Sequence, residues 1–326
     1  MKMKSLGMVT AFLILLLSVS CGEKQEVPTG RFPEENIQVP VEGGNLHGTI
    51  MLPESGEDLT LAIIVAGSGP TDRNGNTVGA AENNSLKMVA EALAENGIAS
   101  FRYDKRGIAA SGSLVEKEAD LIFSDYSDDI VTIAGHLMEN DDRFSSLVLI
   151  GHSEGALLTA VAANDIENLD GLISVAGMGH SAYDTLKRQL AAQGGDIYDR
   201  SLPILDSLKE GVLVPELPAD LFMLFRPSVQ PYLISWFSYD PVEVMGAVTV
   251  PTLIVQGDND IQVTVEDATL LHEAKPDAQL EVIREMNHIL KTAPRDREGN
   301  IQTYSDPVLK INEDFVKVII DFIRGL

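Results

Sequence analysis

Hydrophobic residues fall into short apolar runs that alternate with amphipathic stretches along most of the chain. The runs predict strands, the first two of them paired in a hairpin over 37–52, and the stretches predict helices. The other predicted strands are 61–66, 98–103, 146–151, 171–177, 252–257 and 279–284. The predicted helices are 85–96, 125–139, 154–164, 264–274 and 307–324. This alternation is typical of an α/β domain in which a mostly parallel sheet carries helices on both faces.

One stretch interrupts the alternation. Between Gly179 and Val248 there is no strand pattern, only short helical patterns such as 184–192 and 203–209 and a segment rich in aromatic residues. We therefore predict a helical cap, inserted at about 180–247. Most of its aromatic side chains are expected to pack the cap against the domain rather than to line a pocket. These are Phe222, Phe225, Tyr232, Trp236 and Phe237.

The first residues have the pattern of an export signal, because Lys2 and Lys4 precede an apolar run over 6–19 that is shorter than the ~20 residues of a membrane span. Cys21 follows, in a segment that resembles a bacterial lipobox. We expect an exported lipoprotein of the bacterial cell envelope, anchored to the membrane through Cys21; a plain secretory signal is the alternative. The predicted division is a signal over 1–21, a tether over 22–35 and a folded domain over 36–326.

Composition excludes several function classes. The chain has 49 Asp and Glu against 24 Lys and Arg, a formal net charge of −25, which disfavours nucleic-acid partners. Cys21 is the only cysteine, so no disulfide can form within one chain. No nucleotide-binding glycine motif or zinc-binding motif is present. We therefore expect no cofactor and no metal, and the oligomeric state stays open.

A strong chemical motif follows the strand at 146–151. The residues Gly151-His152-Ser153-Glu154-Gly155 have the spacing G-x-S-x-G, and a helical pattern begins directly after them. A serine at such a turn between strand and helix is held with its hydroxyl exposed, as a nucleophile requires. Ser153 is therefore the candidate nucleophile. An ordinary glycine-rich turn is the alternative.

A serine hydroxyl needs a base to take its proton and a carboxylate to orient that base. His288 is the candidate base, because it is the only histidine that follows a strand end downstream of 252–257. His180, at the start of the predicted cap, is its rival. Asp258 and Asp260 both lie in the loop after 252–257, so the pattern alone leaves two candidates for the carboxylate.

An acyl-transfer intermediate also needs two backbone N–H groups that stabilise its negative oxygen. At a turn of this kind one donor is the residue after the nucleophile, which is Glu154, and the other lies in the loop after the third strand. That loop is 66–70, where Gly67 and Gly69 allow close approach of the backbone. We predict Ser68 as the second donor.

These segments together resemble the α/β hydrolases of the serine aminopeptidase-like group, close to the lipoprotein esterases. The resemblance rests on AGSGPTDRNGN at 66–76, FRYDKRG at 101–107, GHSEG at 151–155, GDND at 257–260 and NH at 287–288. It implies the α/β-hydrolase fold. It also implies that Asp260 orients His288, because the residues from Gly257 to Val263 match the G-x-x-D-x-x-V acid loop of these enzymes.

The resemblance further implies hydrolysis of small or short-acyl carboxylic esters through Ser153, His288 and Asp260. A departure from many relatives is Ala66, which stands where they carry histidine. Two alternatives remain open. A peptidase or amidase would use the same three residues, and a binding protein could keep the fold without catalysis.

Overall fold

A computed structural model describes residues 31–193 and 195–326, so the predicted signal, Cys21 and most of the predicted tether lie outside the described residues. The strands are β1 (Glu34–Val41), β2 (Gly44–Met51), β3 (Leu59–Val65), β4 (Ala99–Tyr103), β5 (Phe144–His152), β6 (Gly171–Val175), β7 (Thr252–Gly257) and β8 (Gln279–Ile283). The helices are α1 (Ser85–Glu95), α2 (Phe123–Asn140), α3 (Glu154–Ala162), α4 (Ala182–Gln193), α5 (Ile197–Lys209), α6 (Phe222–Phe225), α7 (Gln230–Trp236), α8 (Pro241–Ala247), α9 (Val265–Ala274), α10 (Arg297–Gln302) and α11 (Glu313–Arg324).

The eight strands form one sheet in the order β1-β2-β4-β3-β5-β6-β7-β8. The hairpin of β1 and β2 pairs antiparallel, β2 also pairs antiparallel with β4, and every pairing from β4 to β8 is parallel. The predicted α/β fold with a mostly parallel sheet is therefore confirmed. Pro40 lies in β1 at the edge of the sheet, where a missing N–H group is tolerated.

Strand side chains alternate between two apolar layers. In β3, Leu61 and Ile63 contribute to the layer under α2, α3 and the insertion between β6 and β7, while Ala62 and Ile64 face the layer under α1 and α11. Phe32, in the stretch that the sequence predicts as tether, is buried in this second layer. Helices therefore cover both faces, which leaves the carboxyl ends of the parallel strands to carry the site.

Apart from small shifts at the ends of elements, three features differ from the predicted pattern. The last helix begins at Glu313 rather than at 307, because the Asn312 side chain caps it by accepting from the N–H groups of Asp314 and Phe315. Pro203 lies inside α5 instead of starting it. The six-residue α10 was not predicted, since it is short and largely polar.

Helices α4 to α8 fill the connection between β6 and β7, in the stretch for which the sequence predicts a cap. Three aromatic rings of this stretch lie against Phe123 of α2, those of Tyr232, Trp236 and Tyr239. The rings of Phe123 and Trp236 stack with centroids 5.9 Å apart. Four of the five aromatics named above are buried and Phe222 is exposed. Within the described residues, no helix is both long and apolar enough to cross a membrane.

Candidate active site

Ser153 occupies the sharp turn between β5 and α3. Its φ of 56° and ψ of −119° lie in a region that residues other than glycine rarely adopt. The strained turn is held by the Ser153 N–H, which donates to the Val175 carbonyl at the end of β6 over 2.9 Å. The serine therefore sits between strand and helix, as the G-x-S-x-G pattern predicts.

Three glycines allow this turn to pack tightly. A Cβ atom on Gly151 would lie 2.3 Å from the Gly155 carbonyl oxygen, and one on Gly155 would lie 2.4 Å from the Val65 carbonyl oxygen. A Cβ atom on Gly67 would lie 3.1 Å from the Ser153 Cβ. The loop after β3 thus lies directly against the serine.

His288 and Asp260 meet at the same edge of the sheet. The imidazole Nδ1 lies 2.8 Å from Asp260 Oδ2, and the two side chains are only 7% and 1% exposed. The other oxygen, Asp260 Oδ1, accepts hydrogen bonds from the N–H groups of Gln262 and Val263. These bonds fix the carboxylate, so it can orient the imidazole.

Asp258, the competing carboxylate, points elsewhere. It accepts from the Glu285 N–H at 2.6 Å and from the Arg295 guanidinium at 2.8 Å, and its side chain is 31% exposed. Burial raises the pKa of Asp258, but the hydrogen bonds from Arg295 and Glu285 outweigh burial and leave the pKa below its ordinary value. Its role in the structure is to join two surface loops.

The rival histidine, His180, belongs to a different cluster. Its Nδ1 lies 2.8 Å from Asp267 at the start of α9, where the same carboxylate accepts from the Gly179 N–H. His180 is absent from the cavity that contains Ser153. The structure therefore brings His288, and not His180, to the serine.

His152, next to the serine, makes a bond that the sequence did not suggest. Burial and the neighbouring His288 lower the pKa of His152 to about 3, so its imidazole is neutral. Its Nε2 lies 2.7 Å from the His288 carbonyl oxygen and must therefore donate a proton to it. His152 thus ties the serine turn to the histidine loop.

A cavity of about 230 Å³ joins these groups. Ser153, His288, His152 and Ser68 line it, together with residues of the loop over 71–86, of α4 and of the segment over 289–304. Among the described residues the Ser153 hydroxyl has no hydrogen-bond partner; serine–histidine contacts often tighten only when substrate binds. None of the five cap aromatics lines the cavity.

The two predicted oxyanion donors are free. Within the described residues, neither the Ser68 N–H nor the Glu154 N–H donates to another protein group. The Ser68 carbonyl accepts from the Thr71 hydroxyl, which holds this end of the loop. In the next loop, Arg73 donates to Asp104 at 2.7 Å, so the segments that carried the resemblance brace each other.

No sequence pattern indicated the amide side chains that hold two loops of the site. These are the acid loop, over 257–263, and the base loop, which follows β8 and carries His288. Asn259 donates to the carbonyls of Ala293 and Pro294, and its own carbonyl accepts from Asn300. Asn287 donates to the Thr303 hydroxyl at 2.8 Å. These bonds join three loops that are distant in sequence, and no short motif signals them.

Comparisons with known proteins identify similar sequences and similar folds. The family described as Serine aminopeptidase, S33 matches residues 79–216, a range that contains Ser153 and ends before Asp260 and His288. Esterase EstD of Thermotoga maritima is 27% identical over 272 residues, 81% of this chain. The alignment spans 63% of EstD, so the chain covers less than two thirds of that relative.

Two solved structures share the fold. Est1E from Butyrivibrio proteoclasticus superposes with a TM-score of 0.59 at 19% identity, over 89% of this chain and 99% of Est1E. The acylaminoacyl peptidase of Pyrococcus horikoshii superposes with a TM-score of 0.55 at 12% identity, over 90% of this chain and 41% of the peptidase.

Within residues 31–193 and 195–326, no group of three or more histidine, cysteine, aspartate or glutamate side chains is arranged to hold a metal ion. The sheet order, the serine turn, the histidine–aspartate pair and the relatives agree with one another. The chain therefore has the fold of the α/β hydrolases.

Proposed function

We propose that the protein is a serine carboxylesterase that hydrolyses small or short-acyl esters. The observation that carries the proposal is the convergence of Ser153, at its strained turn, with the Asp260-bound His288 in one cavity. Neighbouring Ser68 and Glu154 supply two unpaired N–H groups. The relative EstD, which is named an esterase, supports the same reaction class.

In the proposed first half-reaction, His288 takes the proton of the Ser153 hydroxyl while the serine oxygen bonds to the ester carbon. The carbonyl electron pair moves to the oxygen, where the N–H groups of Ser68 and Glu154 stabilise the charge. The carbon–oxygen bond to the alcohol then breaks, and His288 returns the proton to that alcohol. An acyl-serine remains.

In the second half-reaction, water attacks the acyl-serine. His288 takes a proton from the water as its oxygen bonds to the acyl carbon, and the bond to Ser153 breaks. The proton returns to the serine oxygen, and a carboxylic acid leaves. Asp260 keeps the Nδ1–H of His288 directed toward itself throughout, so that the other ring nitrogen faces the serine.

Cavity size favours small substrates. Its volume of about 230 Å³ lies below the roughly 300–1,000 Å³ that is typical of pockets for drug-sized ligands. Short aliphatic side chains such as Ala80, Ala81 and Ile289 form part of the lining. Acetyl and butyryl esters should therefore be hydrolysed faster than long-chain esters.

The test is an assay on p-nitrophenyl esters of increasing acyl length beside Ser153→Ala. We expect the highest kcat/KM on the shortest chains and loss of about 10⁴-fold or more in kcat for the variant. Equal activity in Ser153→Ala would contradict the mechanism. Cleavage of aminoacyl amides in preference to every ester would instead favour a peptidase, which the match to the serine aminopeptidase family makes the second candidate.

A further inference from the structure

A buried lysine lies behind the two oxyanion donors. The Lys105 side chain is 1% exposed, and its ammonium group lies 2.8 Å from the Gly67 carbonyl oxygen and 2.6 Å from Glu154 Oε2. It also lies 4.7 Å from the centre of the Tyr126 ring. The three contacts match the three N–H donors of an ammonium group.

Both hydrogen-bond partners of Lys105 belong to the proposed oxyanion site. The Gly67 carbonyl and the Ser68 N–H belong to one peptide group. The Lys105 ammonium group beside the carbonyl oxygen therefore increases the polarity of the Ser68 N–H. Glu154 supplies the second donor through its own backbone N–H. The Lys105 ammonium group thus contacts both the Gly67–Ser68 peptide and Glu154, which carry the two proposed oxyanion donors.

The helical insertion between β6 and β7 contributes a further contact to Glu154. The hydroxyl of Tyr232, on α7, donates to Glu154 Oε1 at 2.6 Å. Burial and the negative charge of Glu154 raise the pKa of Tyr232 well above its ordinary value, so the phenol keeps its proton and remains a donor. Glu154 is therefore held by Lys105 on one oxygen and by Tyr232 on the other.

We propose that Lys105 is a positioning residue of the oxyanion site, which holds and polarises the Gly67–Ser68 peptide and, through Glu154 and Tyr232, couples that site to the helical insertion. This inference rests on the proposed function, because it assigns Lys105 a part in the same acyl transfer. The negative charge that develops on the substrate oxygen is favoured by the nearby ammonium group. Binding of the uncharged ester before reaction gains little from the ammonium group.

The experiment compares Lys105→Met with the wild type and with the double variant Lys105→Met/Glu154→Gln. The single variant leaves the Glu154 carboxylate without its ion-pair partner and is expected to lower Tm. The double variant removes that unpaired charge and should recover most of the Tm. The Gly67 carbonyl still lacks its ammonium donor in both variants.

We expect both variants to lose about tenfold to a hundredfold in kcat on p-nitrophenyl butyrate, with KM changed by less than about threefold. Recovery of Tm without recovery of kcat in the double variant would support the proposal. A folded double variant with wild-type kcat would overturn it, because a purely structural lysine predicts that result.

Two milder variants test the link to the insertion. Tyr232→Phe removes the hydroxyl that donates to Glu154, and we expect a loss of about threefold to tenfold in kcat at unchanged KM. Tyr126→Phe is the matched control, since its hydroxyl bonds to the Arg106 carbonyl and its ring would still face Lys105. Equal kcat values for the two variants would contradict the coupling through Tyr232.

A fluorophosphonate probe separates failure of this proposal from failure of the proposed function. In labelling, the Ser153 oxygen bonds to phosphorus, fluoride leaves, His288 takes the serine proton, and the phosphonyl oxygen occupies the oxyanion site. We expect wild type to label at Ser153 and Lys105→Met to label at least about tenfold more slowly. No labelling of the wild type would contradict the proposed function itself. Equal labelling rates would overturn the role of Lys105 alone.

Discussion

The site buries a lysine on each of its two sides, and the two are held differently. On the oxyanion side, Lys105 pairs with the carboxylate of Glu154. On the side of the acid and base loops, Lys291 is fully buried. Among the described residues, its ammonium group donates only to the backbone carbonyls of Asn83 and Asp306. The first arrangement keeps a compensated positive charge behind the two proposed oxyanion donors. In the second arrangement, Lys291 joins the segments that contain Asn83 and Asp306 to the base loop.

The difference has a measurable consequence for Lys291. Burial lowers its pKa to about 8, and the charge of Asp306 only partly opposes this effect. Apart from the Asp258–Arg295 ion pair at the surface, the acid and base loops are joined by neutral amides, carbonyls and the His152 imidazole. Ion pairs brace the oxyanion side, as the Arg73–Asp104 contact also illustrates. The predictions below test this contrast.

The largest effect is expected from Asp260, the carboxylate on the acid and base side that contacts His288. Asp260→Asn should lower kcat/KM by about 10³- to 10⁴-fold, because an amide no longer fixes the imidazole tautomer that the reaction needs. Steady-state kinetics on a short-chain ester measure the loss.

Asp258→Asn is the matched control for this change. It lies two residues away and contacts Arg295 instead of His288, so kcat/KM should change by less than about threefold. The assignment of the two carboxylates would be wrong if Asp258→Asn were the more damaging substitution.

A smaller effect is expected at His152. His152→Phe keeps a ring in place but leaves the His288 carbonyl without its donor, so we expect a loss of about 1–3 kcal/mol in the free energy of unfolding. The kcat should fall by about tenfold as the base loop loosens. Urea denaturation and steady-state kinetics check the two values.

The pH dependence of this variant provides a further check. With a pKa of about 3, His152 is neutral between about pH 5 and pH 8, so it contributes no titration there. The pH–rate profile of His152→Phe should therefore have the same shape as that of the wild type. A missing inflection in the variant would show that His152 itself titrates during catalysis.

The smallest effect concerns Lys291 and stability alone. Its pKa of about 8 in the folded protein lies below the ordinary ~10.4 of an unfolded chain, so between these values the unfolded chain binds more protons. Stability from this group is therefore present above ~10.4 and is lost as pH falls through about 8. The free energy of unfolding of the wild type, relative to Lys291→Met, should rise between pH 8 and pH 10. A difference that falls with pH would contradict the assignment.

The proposed catalytic residues were more predictable from the sequence than the residues that hold them in place. Ser153, Asp260 and His288 follow strand ends in recognisable motifs, and the structure brings all three to one edge of the sheet. Lys105 lies in the quoted segment FRYDKRG, but its partner Glu154 is 49 residues away, and their contact depends on the packing of β4 beside β3. Local patterns carry no information about such a pair.

The same limit applies to the loops and to the N-terminus. Asn259, Asn287 and Asn300 form bonds across up to 41 residues, and each looks like an ordinary loop residue in the sequence. The export signal, lipidation of Cys21 and attachment to a membrane stay predictions, because they concern residues outside those the structure describes.

The identity of the nucleophile is the central claim, and three serines line the cavity: Ser68, Ser85 and Ser153. The most direct measurement is reaction of the folded protein with a fluorophosphonate, followed by mass spectrometry of its peptides. The account predicts one adduct, on Ser153, which is absent in Ser153→Ala and retained in Ser85→Ala. An adduct on Ser68 or Ser85 in the wild type, or undiminished labelling of Ser153→Ala, would contradict it.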